Sequence, residues 1–140
     1  MVAAYRGRAS MGSDSVCDDP WALRLAGPEG ESLSRRWDEH SPSMELWVAL
    51  RTRFIDDCVT RALDRGVEQV VILGAGLDTR SARLARSGVR FFEVDQPASQ
   101  AEKCERLSRL EEYPLDSTTF VACDFEADDF LERLRNGGHD

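Results

Sequence analysis

The chain has 140 residues, enough for one domain with a sizeable core, and its 41% hydrophobic and 31% charged residues are ordinary for a globular protein. Its net charge of −8 argues against nucleic acid and anionic membranes as partners, and no stretch approaches the roughly 20 apolar residues of a membrane span. Residues 1–10 lack an apolar core, so no signal peptide is expected. The four cysteines show no CxxC spacing, which favours reduced thiols in a cytoplasmic protein and argues against a metal site.

The first stretch, residues 1–40, is rich in Gly, Ser, Asp and Pro, and we expect it to be largely irregular. A short helix is predicted over residues 21–26, with Pro20 at its first turn. Trp21 and Trp37 are large aromatic residues in an otherwise polar stretch. They indicate that this segment packs onto another part of the protein rather than forming a free tail.

The longest helical pattern begins after Ser43, which can cap it, and is ended by Gly66. One face carries apolar residues at helical spacing, which predicts that this face is buried. Those residues are Trp47, Leu50, Phe54, Ile55, Cys58, Ala62 and Leu63.

Two arginines of this helix differ in their surroundings. Arg53 precedes Asp56 and Asp57 by three and four residues, which is typical of a solvated ion-pair face. Arg51 points with the apolar face, where an unpaired buried charge is costly, so it needs a partner. That partner is either a structural carboxylate or the carboxylate of a ligand.

Three strands, each followed by a helix, come next in the chain. The first strand, residues 69–73, is a continuous apolar run, which is typical of a strand buried on both faces of a parallel sheet. The other strands are predicted over residues 89–94 and 118–123, and Asp128 is predicted to cap the helix after the third. This order of elements predicts a parallel, doubly wound α/β sheet.

Glycine and acidic residues occur where the three strands end, and these ends meet at one edge of a parallel sheet. Gly74-Ala75-Gly76 follow the first strand, and the glycines allow a sharp turn and the close approach of a ligand. Asp95 follows the second strand, where its carboxylate can accept hydrogen bonds from both hydroxyls of a ribose. Asp124 follows the third strand and can accept from an adenine amino group, while Phe125 adds an apolar contact. Together they predict a site for an adenosine-containing ligand.

The glycine spacing distinguishes between such ligands. A dinucleotide fingerprint has a third glycine where this chain has Thr79, which argues against NAD and favours an adenosine ligand without a pyrophosphate. S-adenosyl-L-methionine is the commonest of these, and its amino-acid carboxylate requires a cation such as Arg51. Two alternatives stay open: a non-catalytic module that binds adenosine ligands or another protein, and, less favoured, an NAD-dependent oxidoreductase.

Residues 71–80 followed by residues 92–97 resemble the leucine carboxyl methyltransferase family. The similarity is closer to its bacterial, actinobacterial-type branch of S-adenosyl-L-methionine-dependent methyltransferases, and it extends over most of the chain. The resemblance implies a Rossmann-like class I methyltransferase fold with a helical N-terminal segment. In that fold residues 1–40 form a lid-like segment, and residues 41–140 form the first half of the domain that binds S-adenosyl-L-methionine.

The resemblance also implies roles for the site residues. Asp95 and the Asp124-Phe125 pair contact the cofactor. Gly74-Ala75-Gly76 pass under its methionine part, and Arg51 holds its carboxylate. The implied reaction is a direct methyl transfer to a carboxylate or hydroxyl oxygen of a small molecule or a protein terminus.

Members of this family are longer and carry further strands. The resemblance therefore implies a chain that stops after the third strand, with its first strand at an exposed sheet edge. It also implies that most of the acceptor pocket and any catalytic base lie outside these residues. Whether the chain is active or an inactive fragment therefore stays open, and no catalytic residue is assigned.

Overall fold

A computed structural model describes the whole chain, Met1–Asp140, as two compact units, Met1–Arg61 and Ala62–Asp140. The helices and strands in chain order are α1 (Val2–Ala9), α2 (Ala22–Asp38), α3 (Met44–Asp64), β1 (Gln69–Leu73), α4 (Arg80–Arg83), β2 (Arg90–Asp95), α5 (Pro97–Leu107), β3 (Thr118–Ala122) and α6 (Phe130–Asn136). None of the helices has the length and apolar content needed to cross a membrane. The division between units falls within α3, whereas the sequence places the start of the cofactor domain at residue 41; that assignment stays a prediction.

The first unit is mostly helical, so the expectation that residues 1–40 are largely irregular is wrong. Asp19 accepts the backbone N–H of Ala22 at 3.0 Å, which satisfies a free amide at the start of α2. Gly27, with a φ of +65°, changes the direction of the chain inside α2, and Pro28 begins its second part. The residues that suggested turns therefore mark where helical segments begin and bend.

Helix α3 confirms the predicted element, but a different face of it is buried. Val48 and Thr52 are only 1% and 2% exposed. Trp47, Leu50 and Phe54 are 58%, 52% and 67% exposed, so the prediction that this face is buried is wrong for the first half of the helix. Near the end of the helix Leu63 is buried, as predicted. Two adjacent faces of this helix carry apolar residues, and a helical period cannot distinguish which of them meets the rest of the fold.

The second unit contains one parallel sheet with the strand order β1-β2-β3, which confirms the predicted α/β fold with three parallel strands. The central strand β2 is buried, with Phe91, Phe92 and Val94 no more than 1% exposed. Strand β1 lies at the edge, and Leu73 is 56% exposed. The apolar sequence of β1 predicts burial on both faces, but β1 is only partly buried because it pairs on one side alone.

Candidate functional site

The carboxyl ends of the three strands lie at one edge of the sheet, as the sequence predicts. Leu73 of β1 pairs with Val94 of β2, and Asp95 pairs with Ala122 of β3. The backbone N–H of Cys123 donates to the Asp95 carbonyl oxygen at 2.9 Å. This register brings together, at one edge, the residues that follow β1 and β3, and Asp95, the last residue of β2.

The glycine turn, residues 74–78, leaves β1 at this edge. The N–H of Gly74 donates to the backbone of β2 at 2.8 Å, and the N–H of Gly76 donates to the Asp95 carboxylate. Gly74 and Gly76 have φ angles of +61° and +47°, and a Cβ added to either would meet no atom within 4 Å. Ala75, between them, is buried. The left-handed backbone favours glycine at both positions, and the space beside the turn is open to a ligand.

The Asp95 carboxylate accepts hydrogen bonds from two backbone amides. One oxygen accepts from the N–H of Gly76, and the other accepts from the N–H of Gln96 at 2.7 Å. A carboxylate offers about four lone-pair positions, so two further donors can still be accepted. Asp95 is half-buried, and a ribose diol supplies two hydroxyl donors. The acceptors of this edge therefore fit an adenosine ligand.

Asp124 and Phe125 follow β3 at the same edge. The side-chain nitrogen of Gln96 lies 3.5 Å from Asp124 Oδ1. The N–H of Asp124 donates to Asp128 Oδ2 at 2.9 Å, and Asp128 Oδ1 pairs with Arg133 at 2.8 Å. Arg133 and the Asp124 amide hold the pKa of Asp128 below its usual range. Phe125 is 43% exposed, so its ring is available to an apolar partner.

The cap of α6 is Asp129 rather than Asp128, which corrects the prediction. Its side chain accepts from the N–H groups of Leu131 at 2.9 Å and Glu132 at 3.2 Å. Asp129 directly precedes the first helical residue, so its side chain reaches these free amides. Asp128 instead holds the backbone of Asp124 in place.

Arg51 belongs to the first unit and is exposed. It lies one helical turn after Trp47, on the face of α3 that is not buried. Its guanidinium carbon lies 5.8 Å from the centre of the Trp47 ring. No ion pair joins it to a carboxylate, so the structural-carboxylate alternative finds no support, and the inference that Arg51 is a buried charge is wrong. Arg53 pairs with Asp57 at 2.9 Å, as predicted.

Two buried charged residues lie beneath the carboxyl edge and are absent from the predicted site. Glu93 and Lys103 are each 1% exposed, and they form an ion pair. Burial raises the pKa of Glu93, and Lys103 opposes that shift. The available signal was the charge of Glu93 inside an apolar strand, two residues before Asp95 and on the same face. Lys103 precedes Leu107 and Leu110 by four and seven residues, so its position on their helix face was the available signal.

Two surface cavities lie elsewhere. One, of about 780 Å³, is within the helical unit, where Arg8 already pairs with Asp38 at 2.9 Å and Glu45 at 2.6 Å. The other, of about 360 Å³, is lined by Arg90 and Thr118 at the amino ends of β2 and β3. Ligands of parallel sheets bind at the opposite, carboxyl ends, so neither cavity is the candidate site.

Comparison with known proteins gives a consistent set of relatives. The family model described as "Leucine carboxyl methyltransferase" matches residues 1–140. A protein of Mycobacterium avium (strain 104) is 35% identical over 158 residues, which cover 100% of this chain and 49% of that protein. A protein of Mycolicibacterium paratuberculosis is 37% identical over 152 residues, again with 100% of this chain and 49% of the relative. Both are named "Putative S-adenosyl-L-methionine-dependent methyltransferase", and the chain spans about half the length of these relatives.

Proposed function

Because the chain belongs to the leucine carboxyl methyltransferase family, we propose that its carboxyl edge binds S-adenosyl-L-methionine and that it supplies the cofactor-binding half of a methyltransferase. The names of the mycobacterial relatives support this choice of cofactor. The observation that carries the proposal is the bond from the Gly76 N–H to the Asp95 carboxylate, with open space beside Gly74 and Gly76. That bond joins a glycine turn and a strand-end acid in one site.

The adenosine part of the cofactor is assigned to the ends of β2 and β3. Asp95 accepts hydrogen bonds from the two ribose hydroxyls with the lone pairs that its backbone bonds leave available. Asp124 accepts from the adenine amino group, and the exposed ring of Phe125 supplies an apolar contact. These three residues provide the acceptors and the surface that an adenosine requires.

The methionine part is assigned to the glycine turn, Gly74-Ala75-Gly76. The two glycines carry no Cβ, so the backbone of the turn can approach the ligand closely. For Arg51 we keep, as a separate proposal, the role of binding a ligand carboxylate, because its guanidinium is exposed and has no carboxylate partner. In this proposal residues 1–40 are a lid-like segment.

When bound, the cofactor supplies a sulfonium methyl group that an acceptor oxygen can attack directly. The residues of this chain bind and orient the cofactor, which is a large part of what such a transfer requires. We assign the acceptor to a carboxylate or hydroxyl oxygen of a small molecule or a protein terminus, and we assign no base. The four free cysteines are consistent with the proposed cytoplasmic location.

Isothermal titration of the 140-residue chain with S-adenosyl-L-methionine tests the proposal. Asp95→Ala should weaken binding by about 1.5–3 kcal/mol, roughly 10- to 150-fold, because it removes hydrogen bonds to a charged acceptor. Asp116→Ala is the matched control, since Asp116 is an exposed acid near the amino end of β3. An unchanged affinity for Asp95→Ala would rule out the ribose assignment.

Parallel titrations separate the alternatives. Binding of NAD without binding of S-adenosyl-L-methionine would identify an oxidoreductase. Adenosine that binds as tightly as S-adenosyl-L-methionine, without methyl transfer, would identify a non-catalytic adenosine-binding module. A methyl-transfer assay beside the full-length Mycobacterium avium relative then shows whether this chain is active by itself.

A further inference from the structure

Lys103, on α5, is 1% exposed, and a lysine is almost never fully buried unless it is paired. Its ammonium group donates to the carboxylate of Glu93 and to the backbone carbonyl oxygen of Asp78. The same nitrogen lies 5.9 Å from the centre of the Phe120 ring. The charge is therefore satisfied by one acid, one carbonyl and one aromatic face, which come from three different parts of the second unit.

Glu93 is the acid that holds this ammonium, and it lies inside the central strand. Its Oε1 accepts from the hydroxyl of Ser81 at 2.7 Å, while its Oε2 pairs with Lys103. Residues two apart on a strand share a face, so Glu93 lies on the same face of β2 as Asp95. The strand thus supplies one acid to the candidate site and a second acid beneath it.

The Asp78 carbonyl is the last part of the glycine turn. The N–H of Asp78 donates to the Ala75 carbonyl oxygen at 2.8 Å, which closes the turn on itself. At its start the turn is bound to β2 through Gly74, and the N–H of Gly76 is bound to Asp95. Lys103 binds its far end, so both ends of the turn are tied to the sheet or to α5.

We propose that Lys103 is a positioning residue for cofactor binding, and that its ammonium, held by Glu93, fixes the glycine turn through the Asp78 carbonyl. This inference rests on the proposed function of the turn. Lys103 and Glu93 are too deeply buried to contact a ligand, so their effect passes through the backbone. Removing one partner of a buried ion pair leaves the other charge unpaired and lowers stability, so the experimental test compares the turn with the rest of the second unit.

Amide hydrogen exchange of the ligand-free chain tests this directly, because it needs no cofactor. The variant Lys103→Met removes the ammonium and should speed exchange of the Gly76 and Asp78 amides at least tenfold relative to those of β2. Glu93→Gln is the matched control, since it removes the acid's charge while its amide oxygen can still accept from the ammonium, which keeps Lys103 on the Asp78 carbonyl. It should leave the turn protected. Titration with S-adenosyl-L-methionine should then show a tenfold weaker affinity for Lys103→Met than for Glu93→Gln.

Two results would overturn the positioning role. In one, the turn amides of Lys103→Met are as protected from exchange as those of the unsubstituted chain. In the other, Lys103→Met loses protection uniformly over the second unit. If Lys103→Met does not fold, Lys103→Gln decides by the same criteria, because its shorter amide no longer reaches both acceptors. Failure of both variants to fold also overturns it, since the lysine would then serve the fold as a whole. In a further outcome, Lys103→Met loosens the turn selectively while the unsubstituted chain does not bind S-adenosyl-L-methionine. That result would support the positioning role and contradict only the proposed function.

Discussion

Replacing Gly76 by alanine separates the backbone conformation of the glycine turn from its proposed role in binding. Gly76 has a φ of +47°, and a Cβ built there meets no atom within 4 Å. The cost in the free protein is therefore conformational, about 1–2 kcal/mol for an L-residue in the left-handed region. For a chain of this size that corresponds to a Tm lower by roughly 3–8 °C.

Gly66 offers a matched control, because it also has a positive φ, +91°, and open space around its Cβ position. It precedes β1, at the end of the strand opposite the glycine turn. Gly66→Ala should therefore lower the Tm by a comparable amount. Only Gly76→Ala places a methyl group where the methionine part of the cofactor is proposed to lie, and it should weaken S-adenosyl-L-methionine binding at least tenfold.

The assay combines thermal unfolding followed by circular dichroism with isothermal titration at a temperature where both variants are folded. The expected pattern is a similar loss of stability and a different loss of affinity. A Gly76→Ala variant that binds as tightly as Gly66→Ala would refute the reasoning, because the open space beside the turn would then have no part in binding.

Two further predictions concern stability. Gly7→Ala should destabilise the helical unit by about 1–3 kcal/mol, because the new Cβ would lie 2.5 Å from the backbone nitrogen of Leu23. Urea unfolding followed by tryptophan fluorescence measures this, and an unchanged midpoint would contradict it. Asp128→Asn should lower the urea midpoint at pH 7, because the lowered pKa of Asp128 means that its ionised carboxylate stabilises the fold. Protonation removes that stabilisation, so the difference in midpoint between the variant and the unsubstituted chain should shrink below about pH 4. A deficit of the same size at pH 7 and pH 3 would argue against the Arg133 bond as its cause.

The strands and the composition of their carboxyl edge are predictable because the signals are local. An apolar run that ends in a glycine or an acid identifies both a strand and the residue that follows it. Gly74, Asp95 and Asp124 meet at one edge because all three strands are parallel, as the alternation of strands and helices predicts. Their roles toward a cofactor remain proposals.

The buried face of α3 was not predictable in the same way. The spacing of Trp47, Leu50 and Phe54 is as helical as the spacing of Val48 and Thr52. The helical repeat of apolar residues identifies an amphipathic helix, but contacts with distant residues decide which of its faces is buried. The assignment of Arg51 to a buried surface failed for this reason, since its neighbour Trp47 is exposed.

The local pattern of residues was sufficient to determine the α/β class, the three strands and the acids at their ends. The network of Lys103, Glu93 and the Asp78 carbonyl depended on the fold, because these groups are separated by 10 and 25 residues along the chain. A buried charge is stable only where partners from other elements meet it, and no local pattern specifies that meeting. The packing of α5 against the sheet brings these partners together beneath the glycine turn.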